Sequence, residues 1–242
     1  MSTEDPGMRS VRDERGFNQG WSGGLATQTR LERRCDLIIS KMTPSPGRKI
    51  LEIGCGRGEM ARYLAAQTGM QVLGIDRSER FMEEATAETE NLNVRFEVLD
   101  FTQPEQITDL RFDYVVGNGI LHHLYFDLGE SLRAIRQLLV GNGRVMFLEP
   151  NLHNPYVFSI FKQTGLRRLA RLEPDEMAFS RHFAINLFHD AGFSDVSVEY
   201  RDFLLPGIAP WLIGPSVSFG RLAEATPGLK HLAQSIFISA RL

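Results

Sequence analysis

Three glycines at alternate positions, Gly54, Gly56 and Gly58, close the run Ile-Leu-Glu-Ile-Gly-Cys-Gly-Arg-Gly that starts at Ile50. The apolar residues Ile50, Leu51 and Ile53 read as a strand, and a helix-like segment follows. A strand, a glycine turn and a helix start make a place where the backbone can approach a ligand closely. Glycine has no Cβ and tolerates positive φ, and the first turn of a helix carries unpaired N–H groups. The chemistry this suggests is the holding of a nucleotide-like cofactor.

Spacing and charge choose among such cofactors. A dinucleotide fingerprint places its third glycine three residues after the second. Here that position holds Glu59, and Glu52 precedes the turn. These carboxylates repel a pyrophosphate and attract a ligand bearing an ammonium and a sulfonium. The pattern therefore favours S-adenosylmethionine over a nicotinamide dinucleotide.

The run LEIGCGRGEMARYLA resembles the first motif of class I S-adenosylmethionine-dependent methyltransferases of the small-molecule type. Further blocks follow in the family's order: VLGIDRS with Asp76, RFEVLDF ending in Asp100 and Phe101, FDYVVGNGILHHL with Asn118, then GRVMFLEPN. The likeness is close over residues 30 to 150 and looser beyond. It implies an α/β fold, a doubly wound, seven-stranded and mostly parallel sheet (the Rossmann-like methyltransferase fold) with an added cap or lid.

The resemblance also implies roles. Gly54, Cys55, Gly56 and Gly58 shape the turn beneath the methionine part of the cofactor. Glu52 helps hold its amino group, with a capping role as the alternative. Asp76, 22 residues after Gly54, accepts from the ribose hydroxyls, as an acid at such a strand end does. Arg77 lies beside the adenine. Asp100 accepts from the adenine amino group and Phe101 covers the ring, or they are a turn acid and a core aromatic. Asn118 borders both cofactor and acceptor. Nitrogen-methylating relatives that act on amides and bases follow this Asn or Asp with two prolines and an aromatic. The Asn-Gly-Ile-Leu found here argues against that chemistry.

Catalytic candidates are His123, as a general base, and Glu149; Tyr125, His153 and His182 also come into view. A structural or cofactor-lining role competes for His122 and His123. Adjacent histidines are expected to point apart, and no zinc spacing is present, so no metal is expected. The sulfonium methyl is already activated, so the protein mainly aligns the partners and excludes water. A hydroxyl acceptor would still need a base.

Several elements must position these residues. Strands are expected at Lys49–Ile53, Gln71–Ile75, Val94–Leu99, Tyr114–Gly117, Arg144–Leu148, Val196–Tyr200 and Ser235–Ala240, the last antiparallel as the family resemblance implies. Helices are expected at Thr27–Met42, Glu59–Gln67, from a Ser78 N-cap, at Gly129–Leu139 before the stop at Gly141 and Gly143, and over His182–Phe193. Right-handed crossovers gather the strand C-termini, with Glu52, Asp76, Asp100 and Asn118, along one edge. Residues 1–26 read as a flexible lead, 27–150 as the cofactor core, 151–181 as a cap insertion, and 182–242 as completion of the sheet around an apolar connection, 203–233. Within it Phe203–Gly220 has no charge and three prolines, a poor membrane-spanning helix.

Composition excludes other classes. The 242 residues, 43% hydrophobic, can fill a core, and a net charge of −3 gives no general basic footprint for nucleic acid. Two cysteines form no disulfide framework, which fits a cytoplasmic setting, and the polar N-terminus is no secretory signal. The acceptor site falls to the variable parts: Phe17–Trp21, Asn151–Arg181 with its basic amphipathic piece Lys162–Arg171, and Phe203–Gly220. They suggest a small hydrophobic or amphiphilic acceptor, methylated at oxygen before carbon, and leave peripheral membrane contact as a weaker reading. A cap that merely packs on the sheet, or a homodimer surface, is the alternative. A non-catalytic cofactor-binding subunit and an NAD(P)-dependent oxidoreductase are the rival functions.

Overall fold

Seven strands form one sheet in the order β3-β2-β1-β4-β5-β7-β6 in a computed structural model. It describes residues 24–89, 92–103, 106, 109–124, 127–170, 172, 176–205 and 207–242. The strands are β1 (Lys49–Ile53), β2 (Gln71–Asp76), β3 (Val94–Val98), β4 (Phe112–Asn118), β5 (Leu139–Pro150), β6 (Ser194–Arg201) and β7 (Ser235–Arg241). β1 to β5 pair in parallel, and β7 runs antiparallel between β5 and β6. β1, β2 and β4 are apolar along most of their length because helices cover both faces.

Eight helices flank the sheet among the described residues: α1 (Leu25–Ile39), α2 (Glu59–Thr68), α3 (Glu79–Thr86), α4 (Leu128–Gln137), α5 (Pro155–Lys162), α6 (Thr164–Leu169), α7 (Arg181–Asp190) and α8 (Pro210–Ala225). Two cores result. One packs Phe147, Phe179 and Phe188 against Leu51, Val115 and Ile238, and the other packs Met60, Leu64 and Ile38 against Ile50, Val116 and Phe237. Each fully buried Phe or Leu contributes roughly 1.5–3 kcal/mol by leaving water. Ser78 caps α3 as expected, its hydroxyl accepting from the Phe81 N–H at 3.3 Å.

The expectations need correction at three places. Helix α4 stops at Gln137, and β5 begins at Leu139, well before the expected Arg144. Gly141 and Gly143 therefore lie inside a strand, where the β4 pairing slips between Phe112 and Tyr114. The basic piece 162–171 is split between the end of α5 and the short α6, which buries no side chain. The apolar connection forms α8, with Pro210 in the first turn and Pro215 inside. Pro210 supplies a helical φ where no N–H is needed, and α8 docks by Ile213, Gly220 and Ala223.

Candidate functional site

The glycine turn joins β1 to α2 at the sheet's C-terminal edge. Gly54, Gly56 and Gly58 all have positive φ, +66°, +51° and +78°. A Cβ on Gly54 would come within 2.6 Å of Ile120, and one on Gly58 would strike the Phe96 ring. At Gly56 the same position opens onto space. The turn is thus packed from behind and open in front. Gly58→Ala should lower stability by about 1–3 kcal/mol through overpacking alone, with the left-handed backbone adding to it. Thermal melts of the two proteins would show it, and equal midpoints would remove the packing argument.

Asp76, at the end of β2, ties this turn down. Its Oδ2 accepts from the Gly56 N–H at 3.0 Å and its Oδ1 from the Ser78 N–H at 3.0 Å. Cys55 turns its thiol backward to Met82, at 3.9 Å, so its backbone is what faces the turn. Burial first, then the charge of Glu52, pushes the Cys55 thiol up, which leaves it protonated and unreactive.

Glu52 sits beneath the turn and is buried. Burial first, then the neighbouring Glu59, raises its pKa well above the ordinary value, and the Ala61 backbone N–H opposes this. Its Oε2 has no hydrogen-bond partner among the described residues. A buried carboxylate in that state is costly, and an arriving ammonium would relieve it. An open glycine cradle over an orphaned acid fits the methionine end of S-adenosylmethionine and does not fit a pyrophosphate.

Asp100 accepts from the Thr102 N–H and hydroxyl at 3.0 and 2.6 Å, and its other oxygen lies 3.6 Å from Arg77. Phe101 is buried in the larger core, the core-aromatic alternative, so its ring is not exposed to cover an adenine. Asn118 closes β4, and its Oδ1 accepts from Arg34 at 2.6 Å.

Arg34 belongs to a network that the sequence reading missed. It also reaches Asp202 at 2.6 Å and Ser235 at 2.8 Å. Arg30 meets the same Asp202 oxygen at 2.6 Å. Burial, then Arg34, lowers the Arg30 pKa to about 10, with Asp202 opposing. Burial alone would raise Asp202, but Arg34 and then Arg30 outweigh it and hold its pKa below the usual value. Asp202 has φ +83°, a conformation in which Asp is several-fold enriched among non-glycine residues.

The segment after Asn118 engages Glu149, the other catalytic candidate from the sequence. The Glu149 side chain is fully enclosed, accepts from the N–H groups of Ile120, Leu121 and His122, and lies 2.9 Å from His122 Nδ1. Burial pushes it up to about 7 against those backbone donors. Burial also pulls His122 down to about 3, so the ring is neutral, with its Nδ1 set against the carboxyl group. Glu149 holds the one-turn 3-10 helix Leu121–His123 in place.

His123 is partly exposed, and its Nδ1 lies 3.6 Å from Glu176. The two histidine rings do not diverge as expected: their centroids are 4.0 Å apart at 35°. With Glu176 they place three donor atoms within 4.8 Å of one another. Glu176 lies in a strip held against the site by the Met177 N–H, which donates to His122 O at 3.0 Å, and the Phe179 N–H, which donates to Pro150 O at 2.8 Å. No local sequence signal marks it. Glu176 also borders a cavity of about 440 Å³ walled by Phe161, Lys162, Arg167, Met177 and Phe183.

His153 packs near Tyr200 and His231, and His182 is exposed on α7 beside Asn186. Neither belongs to this cavity wall. Tyr125 and Phe17–Trp21 lie outside the described residues.

Residues 51–145 match the family model for a methyltransferase domain. The chain is 29% identical over 199 residues to phosphoethanolamine N-methyltransferase 1 of Arabidopsis thaliana, covering 79% of this chain and 37% of that protein. It is 27% identical over 190 residues to an S-adenosyl-L-methionine-dependent Diels-Alderase of Talaromyces variabilis, covering 73% and 63%. The chain thus spans less than two thirds of each of these curated relatives. In fold it matches a SAM-dependent methyltransferase from Archaeoglobus fulgidus with TM-score 0.64 at 18% identity, over 93% and 98% of the two chains. The nicotinamide-dependent oxidoreductase alternative falls away with the cradle and these matches. Sheet order, motif order and these likenesses agree: residues 51–145 form a methyltransferase domain, and together they support the class I S-adenosylmethionine-dependent family with S-adenosylmethionine as its cofactor.

Proposed function

We propose that the protein transfers the cofactor's methyl group to an oxygen of a small amphiphilic acceptor that carries an anionic group. The observation behind this reading is the pair His123–Glu176, 3.6 Å apart, between the loop after β4 and a cavity with both apolar and basic walls. When bound, the cofactor supplies an activated methyl on sulfur. Glu52 meets its ammonium and Asp76 its ribose, while Gly54, Gly56 and Gly58 shape the floor and Cys55 contributes backbone. Asp100, with Arg77 beside it, borders the adenine end, and Asn118 stands between cofactor and acceptor. Phe161 and Phe183 take the acceptor's apolar part, and Lys162 and Arg167 its anion. His123 Nε2 or Nδ1 accepts the hydroxyl proton as the oxygen–methyl bond forms, and Glu176 steadies the imidazolium. General-base assistance of this kind is worth roughly 10²–10⁴-fold.

The phosphate-bearing acceptor in the Arabidopsis relative's name supports the anionic group and makes an amine the second reading. The buried free thiols of Cys35 and Cys55 support a reducing, cytoplasmic setting. A non-catalytic cofactor-binding role is the alternative that activity decides. The test is titration with S-adenosylhomocysteine beside NADH, then methyl transfer to phenolic, lipid-like and phosphorylated amine acceptors. His123→Ala should cut kcat about 10²-fold or more and leave S-adenosylhomocysteine affinity unchanged. EDTA should change nothing. Loss of activity with EDTA would instead make His122, His123 and Glu176 a cation site, and no turnover with any acceptor would favour the non-catalytic role.

A further inference from the structure

Large apolar side chains crowd one exposed face. Tyr156 on α5 and Trp211, Phe219 and Leu222 on α8 are all exposed, Trp211 to 76% and Leu222 to 66%. Between them runs an apolar groove of about 380 Å³, lined by Tyr156, Phe203, Phe219, Leu229 and Leu232. Helix α8 already docks through Ile213, Gly220 and Ala223, yet its other side is apolar too. A helix that is apolar all round is ordinarily covered on all sides, and an exposed patch of this kind marks an interaction surface.

The charges around the patch say what covers it. The described residues 152–170 carry Lys162, Arg167 and Arg168 and no acid. Residues 203–233 carry Arg221 and Lys230, and their one acid, Glu224, is engaged by Arg201 at 3.1 Å. A second copy docked by this face across a two-fold axis would bring basic side chains against their own counterparts, which costs affinity. An anionic bilayer surface matches both the apolar groups and the charge. Helix α8 has 16 residues with Pro215 inside, and no described helix is long and apolar enough to cross a membrane. The contact is therefore with the surface, in the manner of interfacial amphipathic helices.

We infer that the α5–α8 face seats the protein on an anionic lipid bilayer, through Trp211, Phe219 and Leu222 at the apolar boundary and Arg168, Arg221 and Lys230 at the headgroups.

Flotation of the full chain with phosphatidylcholine vesicles, with and without phosphatidylglycerol, tests this. Binding is expected to the phosphatidylglycerol vesicles and to weaken with salt. Each basic side chain near an anionic leaflet strengthens binding about fivefold, so Arg168→Glu with Arg221→Glu should weaken it at least ~25-fold. Trp211→Ser with Phe219→Ser should abolish it. Every variant should bind S-adenosylhomocysteine like the parent, which separates loss of the surface from loss of the fold or of the cofactor reading. The inference is overturned by no binding to either vesicle, by binding indifferent to both pairs of substitutions, or by a dimer in sedimentation velocity that Trp211→Ser dissolves while vesicles bind nothing.

Discussion

Glu52→Gln should make the ligand-free protein more stable and its cofactor site worse. The carboxylate is buried, its Oε2 has no partner among the described residues, and burial with the nearby Glu59 disfavours its charge. An amide of the same shape removes that charge. Hydrogen bonds to charged groups are worth about 1.5–3 kcal/mol, so S-adenosylhomocysteine affinity should fall roughly 10- to 100-fold. Calorimetric titration and thermal melts on the same samples check both halves. A melt that falls together with affinity would show that the carboxylate holds the turn rather than the ligand. The pH dependence has a definite sign. A carboxyl whose folded pKa is raised binds more protons folded than unfolded, so apo stability falls as pH rises from the ordinary carboxylate value through the folded one. Saturating cofactor should flatten the part of that slope due to Glu52, and Glu52→Gln should remove that part and leave the contribution of Glu149.

Asp202→Ala should be the most damaging single change in stability. It leaves Arg30, buried, and Arg34, partly buried, beside each other without their shared counter-charge, and breaking a buried pair in this way costs about 3–5 kcal/mol. Asp202→Asn keeps the size and tolerates the positive φ, so it isolates the charge and should recover only a minor part of the loss. Here the pH sign is opposite. The folded pKa of Asp202 is depressed, so its contribution is fully present above the unfolded value near 4 and is lost as pH falls through the folded value. Urea unfolding at neutral pH and below pH 4 would measure it. A wild-type to Asp202→Asn gap that stays constant with pH would contradict the charge assignment.

The difference between these two acids shows what a sequence can reveal. Glu52 announces itself because it stands beside three spaced glycines at a strand end, and the strand is apolar because both faces are covered. Asp76 and Ser78 are legible for the same reason: a strand end, a cap and a glycine turn are local patterns. Asp202 meets Arg30 across 172 positions, and nothing in either neighbourhood distinguishes those residues from solvated charges. Glu176 reaches His123 only because the strip 176–180 lies against β5, another non-local event. The Glu149 side chain turned out to be occupied by backbone N–H groups, which no spacing encodes. Helix α8 was hidden by its prolines and by an apolar pattern with no single face. The histidine pair was misjudged because side-chain rotation, rather than backbone direction, sets where adjacent rings meet.

The clamp between α1 and Asp202 has a consequence for the order of assembly during synthesis. Helix α1 leaves the ribosome early, but both Asp202 and Ser235 are translated near the C-terminal end of this sequence. β1 to β4 can pair while translation continues, since each finds its neighbours among residues already made. Helix α1 can pack Ile38 against Met60 and Leu64 early, but Arg30 and Arg34 lack their shared carboxylate until Asp202 is made. The first of the described helices is then the last to be clamped, and a ribosome-stalled chain ending before residue 202 should present a sheet edge whose cofactor end is not yet closed.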